Sequence, residues 1–306
     1  MATARGRRGR VETNVLRSPA WDAHGRMRPD PAPLTARSLL GGDLAVQVSR
    51  RLSMRDLAVL AAAADLLPQD GEPDAPTSLY QLAGAVYGTR RELGRHPGGR
   101  EYGHVLSSLD RLVEITLKIP GYDVVAGRVV GNLAGRSTAN LLEGVYVQHE
   151  RLQLVTPAQR GGLKGAANVK VAFARWFARQ VRAGYATYLD LVMFRRLGVG
   201  LAARIWAYLE AESYELKGRD RETKAIGLGP PAVAALDLAG YKRARDARRA
   251  LSRAAERIVV TDPRYEAVDV RPGVYGYDLY VVRRRGDRLR EHRRVREALR
   301  TSLRDA

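Results

Sequence analysis

The sequence predicts an α+β fold made of one supersecondary unit used twice, and three observations predict it. The first is the stretch Tyr241 to Ile258. Read as a helix, it sets Tyr241, Ala244, Ala247, Leu251, Ala254, Ala255 and Ile258 on one face, at spacings of three and four. Its remaining surface carries Lys242, Arg243, Arg245, Arg248, Arg249, Arg253 and Arg257 against Asp246 and Glu256. The second is a change of period. Ile258-Val259-Val260 is β-branched, Pro272-Gly273 marks a turn, and Tyr275, Tyr277 and Leu279 to Val282 read as a returning strand. The third is that the first half of the chain shows the same order of helices and ribbon. A short helix, a basic helix and a two-stranded ribbon make up a winged helix, whose basic helix enters the DNA major groove. Taken alone, a basic helix is more often an ordinary packing helix with a solvated face. The repetition favours the DNA-binding reading.

Taken in order, residues 1–40 are expected to be a disordered basic arm. Arg5, Arg7, Arg8 and Arg10 cluster there, and Pro19, Pro29, Pro31 and Pro33 break any period. The first winged-helix domain is expected over 45–160. Ser53-Met54-Arg55-Asp56 resembles a capping box, and Leu57, Leu60, Ala61, Ala64 and Leu67 continue as a helical stripe. Ser78 caps a short helix with Leu79, Leu82, Ala83 and Val86 inward. A third helix follows Pro97-Gly98-Gly99. Its stripe is Tyr102, Val105, Leu106, Leu109, Leu112 and Val113, and its outer face is Arg100, His104, Ser107, Ser108 and Arg111. Alternating runs from Ile115 to Val155 then read as a ribbon or small sheet. Pro157 to Asn168 reads as loop. Val169 to Val181 fits both a strand (VKVAFA) and a short helix (FARWFARQV).

The second domain is expected over 170–285. Leu189 to Phe194 leads into a helix with Leu201, Ile205, Tyr208 and Leu209, beside Trp206. Lys217 to Glu222 is a charged loop, and Pro230-Pro231 opens a short helix that ends at Gly240. The basic helix and its ribbon complete the unit. Residues 286–306 read as a basic helical tail.

A formal charge of +19 over 306 residues favours polyanionic partners, although Arg-rich GC-biased bacterial coding inflates it. No apolar run approaches membrane-spanning length, and the N-terminus lacks a signal-peptide core, so a cytoplasmic protein with no membrane partner is expected. With no cysteine, disulfides and thiolate chemistry are excluded. His24, His96, His104, His149 and His292 are isolated from one another, so no metal site and no H-x-H of a nicking initiator is read. No histidine has an Arg three residues on, as a tyrosine recombinase would. Gly161 to Gly165 fails the phosphate-loop pattern. No catalytic residue and no cofactor are expected.

From Tyr185 to Tyr214 the chain resembles the plasmid replication initiator protein A family. The matching residues are Tyr188-Leu189-Asp190-Leu191, Arg196-Leu197, Leu201-Ala202, Arg204 and Trp206 to Leu209. The resemblance covers roughly Phe173 to Val260. The loop before the second short helix is brief, and Ala203 stands where a second basic residue is common. The resemblance implies two tandem winged-helix domains that bind directly repeated, iteron-type origin sites on double-stranded DNA and recruit host replication proteins. Homodimerisation and repression of its own promoter stay open. The expected DNA-binding residues are Lys242, Arg243, Arg245, Arg248, Arg249 and Arg253 on the second module. Arg100, His104, Ser107, Ser108 and Arg111 are expected to form a weaker surface on the first. A winged-helix repressor is one alternative, and a nicking or recombining enzyme is another.

Overall fold

The computed structural model describes residues 8–18, 20–23, 34–37, 43–48, 52–89, 94–120, 122–123, 128–129, 136–148, 168–184, 186–212 and 221–284. The elements run β1 (Arg8–Glu12), α1 (Thr13–Arg17), β2 (Trp21–Asp22), β3 (Leu34–Arg37), β4 (Asp43–Val48), β5 (Leu52–Ser53), α2 (Met54–Asp65), β6 (Asp74–Ser78), α3 (Leu79–Tyr87) and α4 (Gly99–Glu114). Next come β7 (Thr116–Pro120), β8 (Tyr122–Asp123), β9 (Arg128–Val129), β10 (Arg136–Asn140), β11 (Leu142–Gln148), β12 (Asn168–Phe173) and α5 (Arg175–Arg182). The chain continues with β13 (Ala186–Asp190), α6 (Leu191–Leu197), α7 (Leu201–Glu212), β14 (Arg221–Gly227), α8 (Pro230–Ala235), α9 (Ala244–Thr261), β15 (Tyr265–Gly273) and β16 (Gly276–Arg284).

Two winged-helix modules stand in tandem, and their topology is the same. In the first, α2 leads to β6, then α3 and α4, then β11 and β12, and the sheet order is β6-β12-β11. In the second, α7 leads to β14, then α8 and α9, then β15 and β16, and the order is β14-β16-β15. In both, the strand after the first helix pairs with the last strand of the wing. The first module differs by an insertion: β7 and β10 leave the ribbon and join β3 and β4 in a separate sheet of order β10-β7-β4-β3.

Several boundaries move for physical reasons. Asn168–Phe173 pairs with both β6 and β11, so it closes the first sheet and does not open the second domain. The ambiguity at Val169 to Val181 resolves as strand, then helix: β12 ends at Phe173, and α5 follows from Arg175. Arg221–Gly227, read in part as loop, is the first strand of the second sheet. Ile258-Val259-Val260 stays helical to Thr261, because Ile258 extends the Leu251, Ala254, Ala255 stripe and is fully buried. That packing overrides β-branched propensity. The tail 286–306 and the loop 157–167 lie outside the described residues.

The largest correction concerns the N-terminal arm. Residues 8–18 and 20–22 form strand, helix and strand, with Val11, Leu16 and Trp21 fully enclosed; Arg5 and Arg7 lie outside the described residues. Strand β1 pairs antiparallel with β13, setting Arg8 opposite Asp190, Arg10 opposite Tyr188 and Glu12 opposite Ala186. Glu12 caps α1 by accepting from Val15 N at 2.7 Å. Asp190 caps α6 by accepting from Val192 N at 2.9 Å. The two strand–helix units are therefore counterparts. Aligned on the capping acids, Arg10 corresponds to Tyr188, the residue it faces. The ribbon thus carries an approximate local two-fold axis, and α1 packs on α7 as α6 packs on α2. The internal repeat starts at Arg8.

Candidate nucleic-acid interface

Helix α9 buries Leu251, Ala254, Ala255 and Ile258 against α7 and β15. The opposite face projects Arg245, Arg248, Arg249 and Arg253, all exposed. Arg248, Arg249 and Arg253 make no hydrogen bond or ion pair among the described residues, and Arg245 reaches only Asp246, at 3.9 Å between two exposed side chains. Exposed pairs of that kind contribute little. Lys242 and Arg243 lie just before the helix, after a short 3-10 turn at Leu238–Gly240. Both are exposed at its N-terminal entry. Arg257 turns the other way and donates to the Arg196 carbonyl at 3.1 Å, tying α9 to α6.

The wing of this module ends in an exposed tip. Val274 and Tyr275 form the tip between β15 and β16 and are 92% and 67% exposed. The Tyr275 ring leans on Gly229, where a Cβ would come within 3.2 Å of it. Arg271 stacks over Tyr280, 3.5 Å from the ring centroid. An exposed tip of one apolar and one aromatic residue was not read as a contact from sequence. The available signal was the Pro-Gly-Val-Tyr-Gly run, Pro272 to Gly276.

The first module's helix α4 divides the predicted group. Arg100 and Ser107 are exposed, and His104 is half-buried beside Tyr87, with ring centroids 6.2 Å apart. Burial first, then the Arg55 and Arg100 cations, hold the His104 imidazole below its ordinary pKa, favouring its neutral form. Ser108 and Arg111 correct the prediction. Ser108 is 0% exposed. Arg111 donates to Ser108 Oγ at 3.1 Å and to Asp56 Oδ1 at 2.6 Å. Asp56 is itself the acid of the capping box on α2, accepting from Ser53 N at 2.8 Å. The two residues lock α4 onto α2 and do not form an open contact surface.

A charged cluster joins the C-terminal end of α9 to α7 and the wing. Glu210 of α7 accepts from Arg264 at 2.9 Å, Tyr265 at 3.1 Å and Arg283 at 3.2 Å. Arg264 also pairs with Asp262. Among the described residues no three of His, Asp and Glu lie close enough together to hold a metal ion, and no helix is long and apolar enough to cross a membrane.

No protein-family model and no curated protein matches this sequence. Solved structures do. Domains 2 and 3 of RctB share 12% identity, with 90% of this chain and 97% of that chain covered and a TM-score of 0.48. The Pi initiator protein, solved in complex with iteron DNA, shares 10% identity over 93% of this chain and 100% of that one, with a TM-score of 0.47.

Proposed function

We propose that this chain is a sequence-specific, origin-binding initiator of bacterial plasmid replication, working in the cytoplasm without catalysis of its own. The observation that carries the DNA-binding part is the open basic face of α9. It sits on the third helix of a complete winged-helix unit, the position that enters the major groove. Lys242, Arg243, Arg245, Arg248, Arg249 and Arg253 contact DNA there. Arg100, His104 and Ser107 offer the first module's weaker surface. The resemblance of Tyr188 to Leu209 to plasmid initiators supports the rest: directly repeated origin sites and recruitment of host replication proteins.

The test is complementation. The gene supplied in trans should support replication of an origin fragment that lacks it, and failure with full expression overturns the initiator reading. Incubation with supercoiled plasmid and magnesium should leave the DNA closed; nicking would make the protein an enzyme.

A further inference from the structure

We propose that the N-terminal strap, Arg8–Asp22, sets the spacing between the two recognition helices, so that it determines which half-site separations the chain accepts. The inference rests on the DNA-binding reading above, but its first test does not.

The strap holds the first helix of each module at the same structural point. Arg10 reaches the C-terminal end of α2, where it donates to the carbonyls of Ala64 at 2.9 Å, Asp65 at 3.2 Å and Leu67 at 3.1 Å, and pairs with the Asp65 carboxylate at 3.4 Å. Arg17 reaches the C-terminal end of α7, where it donates to Ala211 O at 3.3 Å and pairs with Glu212 at 3.2 Å. Last-turn carbonyls have no helical partner and carry the negative end of the helix dipole, so a buried guanidinium there satisfies both needs. The hold is returned from α7: Arg204, 0% exposed, donates to Leu16 O at 2.8 Å and Ser18 O at 2.9 Å. Gly9 lies so close to α2 that a Cβ would sit 2.7 Å from Ala61 Cβ. Thr13 bonds Thr187 at 3.0 Å, and Ala20 O accepts from Leu52 N at 2.7 Å.

Each gripped helix carries its own recognition helix. Arg111 and Asp56 fix α4 to α2, and Trp206 and Asp262 fix α9 to α7. The path α4–α2–strap–α7–α9 is therefore continuous through buried and partly buried polar contacts. Two helices reading one duplex must match the groove repeat, about 10–10.5 bp, so a shift anywhere along this path is read as altered spacing.

The chain has no cysteine, so labels can be placed singly. Spin labels on Ser107→Cys in α4 and Glu256→Cys in α9 should give one narrow distance distribution by pulsed electron resonance. Arg10→Ala should broaden it and Arg10→Lys should broaden it less. An unchanged distribution in Arg10→Ala overturns the inference. Should Arg10→Ala not fold, Thr13→Val, which keeps size and removes the Thr187 bond, takes its place under the same criterion. The second arm uses the tightest duplex the unlabelled chain selects from a random-sequence pool, with one to three base pairs inserted between its protected segments. The wild-type chain should lose about tenfold or more per insertion, and Arg10→Ala should flatten that loss while keeping affinity for the α9 segment alone. Equal steepness in both chains overturns the ruler. A wild-type chain that selects no duplex overturns the DNA-binding reading instead, with the distance result standing apart.

Discussion

The indole Nε1 of Trp206 donates to Oδ2 of Asp262 at 2.9 Å, joining the first helix of the second module to the residue that ends its basic helix. Burial works against the Asp262 carboxylate, but Arg264 and Trp206 outweigh it and hold its pKa below the ordinary value. A depressed folded pKa means the stabilisation is fully present above the unfolded carboxylate pKa. It is lost as pH falls through the folded one. Asp262→Asn should therefore destabilise the chain at neutral pH by about 1.5–3 kcal/mol, the usual worth of hydrogen bonds to a charged group. Denaturant titrations should show the gap between variant and wild type closing below the unfolded Asp value. A constant gap down to pH 2 would assign the effect to packing.

The unpaired arginines of α9 give a binding prediction. Arg248→Ala, Arg249→Ala and Arg253→Ala should each weaken DNA binding with little change in stability, since none has a partner to lose among the described residues. A phosphate contact lowers the salt slope by about one and weakens all sequences alike. A base contact is worth about 1–3 kcal/mol of discrimination. Titrations of selected and random duplexes across salt separate the two roles. Full binding by all three variants would remove α9 from the interface.

Arg111 predicts the reverse pattern. Its guanidinium holds the fully buried Asp56. Arg111→Ala leaves that carboxylate with only its Ser53 capping bonds and no cation, and breaking a buried pair costs about 3–5 kcal/mol, with the low end expected because those bonds remain and Arg111 itself is partly exposed. The unfolding midpoint should fall sharply, while the folded fraction keeps its DNA affinity. Lost affinity at unchanged stability would return Arg111 to the contact surface.

These contrasts mark what the sequence could and could not reveal. The Ser53–Asp56 capping box and the α9 stripe are local patterns; the box stands as read, and the stripe stands from Leu251 to Ile258, whereas Tyr241 lies before the helix and Ala244 is exposed. Ser108 and Arg111 lie next to the apolar stripe of α4 and look solvated. Arg111 instead turns onto Asp56, distant in sequence, and bonds Ser108 on the way, a pairing that no helical period signals. The strap was illegible for the same reason. Arg10 and Arg17 look like solvated cations, yet their partners lie 54 to 57 and 194 to 195 residues away. Topology was legible as an order of periods, but strand partners were not. Nothing local to Asn168–Phe173 says that it closes a sheet begun at Asp74.

The last prediction concerns the minimal DNA site. Both modules lie on one chain, so one chain should span successive major grooves, about 34–36 Å or 10–10.5 bp apart. It should protect roughly two helical turns. The halves should be unequal. Helix α9 presents Arg245, Arg248, Arg249 and Arg253, whereas α4 presents Arg100 with Ser107 and a His104 whose neutral form is favoured. Base changes under α9 should cost more than those under α4, and the site should be asymmetric, because the two helices differ in sequence and α9 carries more exposed arginines. Hydroxyl-radical footprinting with sedimentation of the complex measures both symmetry and stoichiometry. A homodimeric repressor would impose its two-fold axis on the DNA and prefer an inverted repeat. A palindromic minimal site holding two chains would therefore favour repression over initiation, whereas one chain on an asymmetric two-turn site fits directly repeated origin elements.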